Sequence, residues 1–134
     1  MGTYDHDTDT YTYDKMDPEV KKNWIAALRS GEFLQANGYL KALEKRQRKL
    51  HHCCLGVLAE ICQAPEFVKY EVIPSNETEN VKELWKMGEG GSGALSDEFM
   101  ASIKLETEAA DELASMNDNG TSFKGIANWI ERNL

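Results

Sequence analysis

The 134-residue sequence predicts an α+β domain, mostly helical, in which about five helices accompany a small β-hairpin or short antiparallel sheet. Three observations carry that expectation. Apolar residues recur at helical spacing from Val20 to Leu28 and again from Leu105 to Leu134, a nearly all-apolar run fills Cys53 to Ala64, and one stretch, Phe67 to Ile73, alternates instead. One hydrophobic core suffices at this length, because the share of surface buried on folding rises with chain size. An apolar content of 41% and a charged content of 28% fit a globular chain.

The opening residues, MGTYDHDTDTYTYDK, lack any large aliphatic side chain and can bury little to offset the entropy of ordering. Residues 1–16 are therefore read as a disordered, acidic, Thr/Tyr-rich tail, and 17–134 as a single domain. The alternation at Tyr11-Thr12-Tyr13 would allow part of the tail to join a sheet edge. Asp5, Asp7 and Asp9 imitate the start of a calcium loop, but Thr10 replaces its glycine and Met16 its bidentate glutamate.

Asp17-Pro18-Glu19 is a helix start, with a capping carboxylate, proline at the first helical position and an acid that suits the dipole. Val20, Trp24, Ala27 and Leu28 share its inner face, and Gly31 should end it. Leu40 to Leu50 is compatible with either a helix or a β-hairpin carrying the basic run at its tip. In Cys53 to Ala64 only Gly56, Glu60 and Gln63 form a thin polar stripe, as expected of a central helix; Gly56 costs roughly 1 kcal/mol against Ala, which points to a close backbone approach.

Pro65 stops that helix, Phe67 to Ile73 reads as a strand, and Thr78 to Met87 as a short helix with Val81, Leu84 and Trp85 inward. The glycine-rich stretch 88–94 is expected to be a flexible loop. Leu105, Ala109, Leu113 and Met116 then form one helical face. Asn117 to Gly120 turns the chain, Thr121 or Ser122 caps, and Phe123, Ile126, Ala127, Ile130 and Leu134 form the next face, giving a helix hairpin.

The chemistry-bearing residues are few. His51, His52, Cys53, Cys54 and Cys62 are zinc-type ligands, yet adjacent residues rarely aim at one ion and no second spaced pair completes a tetrahedron, so core packing is the preferred reading and no metal or cofactor is expected. A nucleophilic cysteine would need an electropositive setting that this apolar helix lacks. The odd cysteine count favours free thiols, and no segment is long and apolar enough to span a membrane or serve as a signal peptide, so a cytoplasmic location is expected.

The formal charge of −8 disfavours unspecific nucleic-acid binding. Against it stands one basic island, Lys41, Lys45, Arg46, Arg48 and Lys49, interrupted by Glu44 alone among the acids. It is the candidate binding site, for an anion or an acidic partner.

Three segments carry a family resemblance: Trp24-Ile25-Ala26-Ala27-Leu28-Arg29-Ser30-Gly31 with Gln35 following, Cys53-Cys54-Leu55-Gly56-Val57-Leu58, and Met116-Asn117-Asp118-Asn119-Gly120-Thr121-Ser122-Phe123 leading into Ile126-Ala127 and Ile130. In order and spacing the chain resembles, from Asp17 to Leu134, small uncharacterised proteins of tailed bacteriophages and prophages. The resemblance implies a hairpin rather than a helix before the Cys-Cys motif, and a phage setting, but no reaction. This chain departs from the pattern at EKRQRK and at His51-His52.

The resulting expectation is a non-catalytic, phage-type accessory protein that binds a host protein or sequesters a small ligand during infection, with homo-oligomerisation left open. The alternatives are a nucleic-acid or nucleotide-binding module using 41–49, and an enzyme with an unfamiliar site.

Overall fold

A computed structural model describes residues 2–45, 48–70, 81–87 and 93–134. Two short strands, β1 (Thr3–Asp5) and β2 (Thr10–Thr12), pair antiparallel ahead of the domain, so the segment read as a tail carries a hairpin of its own instead of joining a larger sheet. Helix α1 (Pro18–Arg29) starts where expected: the Asp17 carboxylate accepts the main-chain N–H of Glu19 at 2.9 Å and of Val20 at 3.1 Å. Gly31, at φ +79°, takes the left-handed conformation that lets the chain leave the helix.

The basic segment is a hairpin. Strand β3 (Leu34–Gln35) precedes β4 (Lys41–Glu44) and β5 (Leu50–His52); β4 and β5 pair antiparallel, and β3 lies parallel to β5. Helix α2 (Cys54–Ile61) follows at once and is buried from Cys54 through Ala59. Strands β6 (Phe67–Tyr70) and β7 (Val81–Met87) complete a five-stranded sheet of order β3-β5-β4-β7-β6. The chain ends in α3 (Asp97–Ser102), α4 (Thr107–Asp118) and α5 (Phe123–Asn133). Ser96 caps α3 and Ser122 caps α5, each hydroxyl accepting a first-turn N–H at 3.2 Å.

Two expectations need correction. The helix expected over Thr78 to Met87 is strand β7 where it is described. Its buried residues, Val81, Leu84 and Met87, fall three apart because they serve two separate clusters: Met87 joins the main core, whereas Leu84 and Val81 pack with Ala42 and Tyr39 in a small second one. A register shift between Leu43 and Glu44 breaks the alternation further. "Mostly helical" also overstates the content, which among the described residues is about 43% helix and 22% strand. The loop expected at 88–94 lies, as far as Ser92, outside the described residues.

The core joins α1, α2, α4 and α5, with Trp24, Leu58, Leu113, Ile126 and Ile130 wholly buried, and Leu40, just ahead of β4, and Met87 of β7 join it from the side of the sheet. Gly56 is the point of closest approach. A Cβ there would collide with the main-chain carbonyl of Leu40, which fulfils the expectation that this glycine admits another backbone.

Candidate functional site

The β4–β5 tip is built by a tight reversal. Arg48 N–H donates to the Glu44 carbonyl at 3.0 Å and Glu44 N–H to the Lys49 carbonyl at 3.3 Å, with Arg48 at φ +53°. Lys45, Arg48 and Lys49 are exposed there; Arg46 lies outside the described residues. Leu50, paired across the ladder with Leu43, stands 42% exposed beside the cations. The tip thus joins charge to an apolar side chain.

Lys41 does not belong to this tip, although it is the first cation of the basic run. The register places it in the middle of the sheet, level with His52 on β5, Trp85 on β7 and, beyond Trp85, Lys69 on β6. Residues level with one another share a face, and this face lies under α2. Glu60, the one acid of that helix, reaches down so that its carboxylate lies 2.6 Å from the Lys41 ammonium and 3.6 Å from Nε2 of His52. The Lys41 Nζ also sits over the Trp85 ring, 4.6 Å from its centroid, and 5.9 Å from that of Phe67.

His52 is buried, and Phe33 meets its ring edge-on at 5.1 Å. Neither ring nitrogen has a hydrogen-bond partner among the described residues, the Glu60 contact being too long for one. Burial drives the imidazole pKa down to about 4 and Lys41 adds to the effect, while Glu60 opposes it, so the ring is neutral at pH 7. The cluster is one ammonium matched by one carboxylate. Its Lys41 charge is already engaged, which suits a strut between sheet and helix better than an anion site.

The cysteines are packing elements. The Cys53 Sγ accepts the Gly56 N–H at 3.4 Å, Cys54 lies 3.5 Å from the Leu113 carbonyl, and burial pushes the Cys53 thiol up to about 11 and that of Cys54 well above its ordinary value. Among the described residues no group of His, Cys, Asp and Glu side chains is arranged to hold a metal ion, and no helix is long and apolar enough to cross a membrane.

The Asn117 to Gly120 segment does more than turn. Asn117 is fully buried: its side-chain oxygen accepts from Cys54 N–H and Gln35 Nε2, and its amide donates to the Ala36 carbonyl at 2.6 Å. Asp118 accepts the Gly38 N–H at 2.9 Å. The three segments noted above for their spacing therefore meet at one polar joint.

The family described as "Domain of unknown function (DUF8296)" matches residues 16–134, which takes in the whole domain and leaves the β1–β2 hairpin outside. The chain belongs to the DUF8296 family. Comparison with curated proteins and with solved structures gave no match. Both the basic tip and the Lys41–Glu60–His52 cluster lie within the matched residues of this family member. The cluster escaped the sequence reading because its members are brought level only by strand register. One signal was available: a single carboxylate in an otherwise apolar helix has to find a partner.

Proposed function

We propose that this DUF8296 protein is a phage-type accessory protein that carries out no reaction itself and binds an acidic surface of a host protein, in the host cytoplasm, through the β4–β5 tip. The observation that carries this reading is the gathering of exposed Lys45, Arg48 and Lys49 beside exposed Leu50 on a molecule whose formal charge is −8. Cations on a protruding hairpin steer an anionic partner into place, and a neighbouring apolar side chain supplies the desolvated contact that slows its release. Lys41, committed to Glu60, plays no direct part in this contact.

The test compares the full-length protein with a variant in which Lys45, Arg46, Arg48 and Lys49 are all serine. Retention of polyglutamate, as an acidic polypeptide, should be lost in the variant while the melting temperature moves by about 4 °C at most, the equivalent of roughly 1 kcal/mol. Equal retention by both proteins would dismiss the tip as the binding surface. A single-stranded oligonucleotide bound more tightly than polyglutamate, with a steep salt dependence that the variant flattens, would favour the nucleic-acid alternative.

A further inference from the structure

Glu106 stands at the N-cap of α4, where a short polar side chain ordinarily accepts first-turn N–H groups, and its longer side chain makes no such bond. Both oxygens are turned instead to the N-terminal segment. Oε2 accepts the Gly2 N–H at 2.7 Å and the Tyr11 hydroxyl at 3.0 Å, and Oε1 accepts the Asp14 N–H at 3.0 Å. Aromatic contacts add to this hold: Tyr13 meets Trp129 of α5 edge-on at 5.1 Å and Tyr11 at 4.7 Å. The side chains of β1 and β2 are otherwise exposed apart from half-buried Tyr11, so little apolar burial fixes the hairpin.

We propose that Glu106 is the latch of a displaceable strap: its carboxylate exchanges between holding residues 2–15 beside Trp129 and capping the N-terminus of α4. The two uses compete, because with both oxygens turned to the strap the carboxylate accepts none of the first-turn N–H groups of the helix. Losing the strap frees a carboxylate at the positive end of a helix whose first N–H groups have no side-chain acceptor from the cap, and the new cap offsets part of what is lost. A strap anchored largely on one carboxylate that has a second use is a segment that can be released. Release bares the Tyr13-facing side of Trp129, independently of the β4–β5 tip.

Amide hydrogen exchange on the full chain tests both halves. Glu106→Ala should speed exchange at Gly2 and Asp14 by about tenfold or more, since local opening sets the rate there. Gly2→Val leaves the latch residue in place but puts a side chain into the Tyr11 hydroxyl and the Thr12 carbonyl, and should release the strap equally. In Gly2→Val the first-turn amides of α4 at Thr107, Glu108 and Ala109 should become more protected, and in the Gly2→Val/Glu106→Ala double variant that protection should vanish. Strap amides that stay protected in either single variant overturn the latch. A released strap with unchanged α4 amides overturns the exchange.

Discussion

The side-chain oxygen of Asn117 accepts the main-chain N–H of Cys54 at 3.1 Å across 63 residues of chain, tying the end of α4 to the start of α2. The same side chain holds Gln35 and Ala36, so one buried amide satisfies groups from both sides of the domain. Replacement by leucine leaves the Cys54 N–H and the Ala36 carbonyl without their partner, each costing about 1–3 kcal/mol. Asn117→Leu should therefore lose at least about 2 kcal/mol in a urea titration. Asn117→Asp keeps the shape but cannot donate to Ala36 and buries a charge, and should be no better. A loss under about 0.5 kcal/mol in both would show that the joint carries no stability.

Gly56 lies against the Leu40 main chain, and this contact reverses the usual expectation for a helical glycine. Alanine in a helix ordinarily gains about 1 kcal/mol over glycine. Here the added methyl would meet a carbonyl belonging to the backbone, which cannot rotate away. Gly56→Ala should destabilise by about 1–3 kcal/mol, as overpacking does, and calorimetry showing a higher melting temperature would contradict the close approach.

The Lys41–Glu60 pair should respond unequally to loss of its two members. Glu60→Gln leaves the Lys41 ammonium, whose side chain is 11% exposed, without its countercharge. The cost should be about 1–3 kcal/mol, below that of a fully buried pair because the Glu60 side is partly in water. Lys41→Met removes the charge and keeps the apolar stem over Trp85, so it should be close to neutral in the presence of Glu60. Chemical denaturation of the two variants side by side decides this, and a larger loss in Lys41→Met would argue against the strut.

His52 gives the fold an acid-sensitive element. Its folded pKa, about 4, lies below the unfolded value of about 6.5, so the unfolded chain binds the proton more readily. Stability from this group is complete above pH 6.5, is lost as the pH falls through the window from 6.5 to 4, and is flat below it, a change of up to about 3 kcal/mol. Melting curves of His52→Leu between about pH 7 and 4 should show a shallower decline than the parent. An identical slope would place the acid sensitivity on other groups.

Much of the helical framework was legible in the residues themselves. Asp17 and Ser122 cap the helices they precede, Gly31 and Gly120 leave helices at positive φ, and Ala109, Leu113, Ile126 and Ile130 are buried where their spacing puts them, while Leu105, expected on the same face, is buried ahead of the start of α4. Helix signals are local: hydrogen bonds, caps and the 3.6-residue period all act within a few positions. The basic tip was likewise visible as a run of charge, because exposed cations need no partner to be recognised.

What lay beyond the sequence depends on neighbours far along the chain. β7 gives up its two-residue period because it buries residues in two separate clusters and its register with β4 shifts, so Val81, Leu84 and Met87 imitate a helix. Lys41 looks like its basic neighbours until the register sets it level with His52 and Trp85, beneath Glu60. Asn117 looks like a turn residue until α2 and the chain around Ala36 close on it. The sequence by itself determined α1, α2, α4 and α5 and their inner faces, since those interactions span one or two turns, whereas the six-residue α3 carried too short a pattern to be read and the helix expected over Thr78 to Met87 is a strand. Only the tertiary structure decided which polar side chains are sealed inside and what they hold, because a buried charge or amide is defined by partners 19 to 82 residues away.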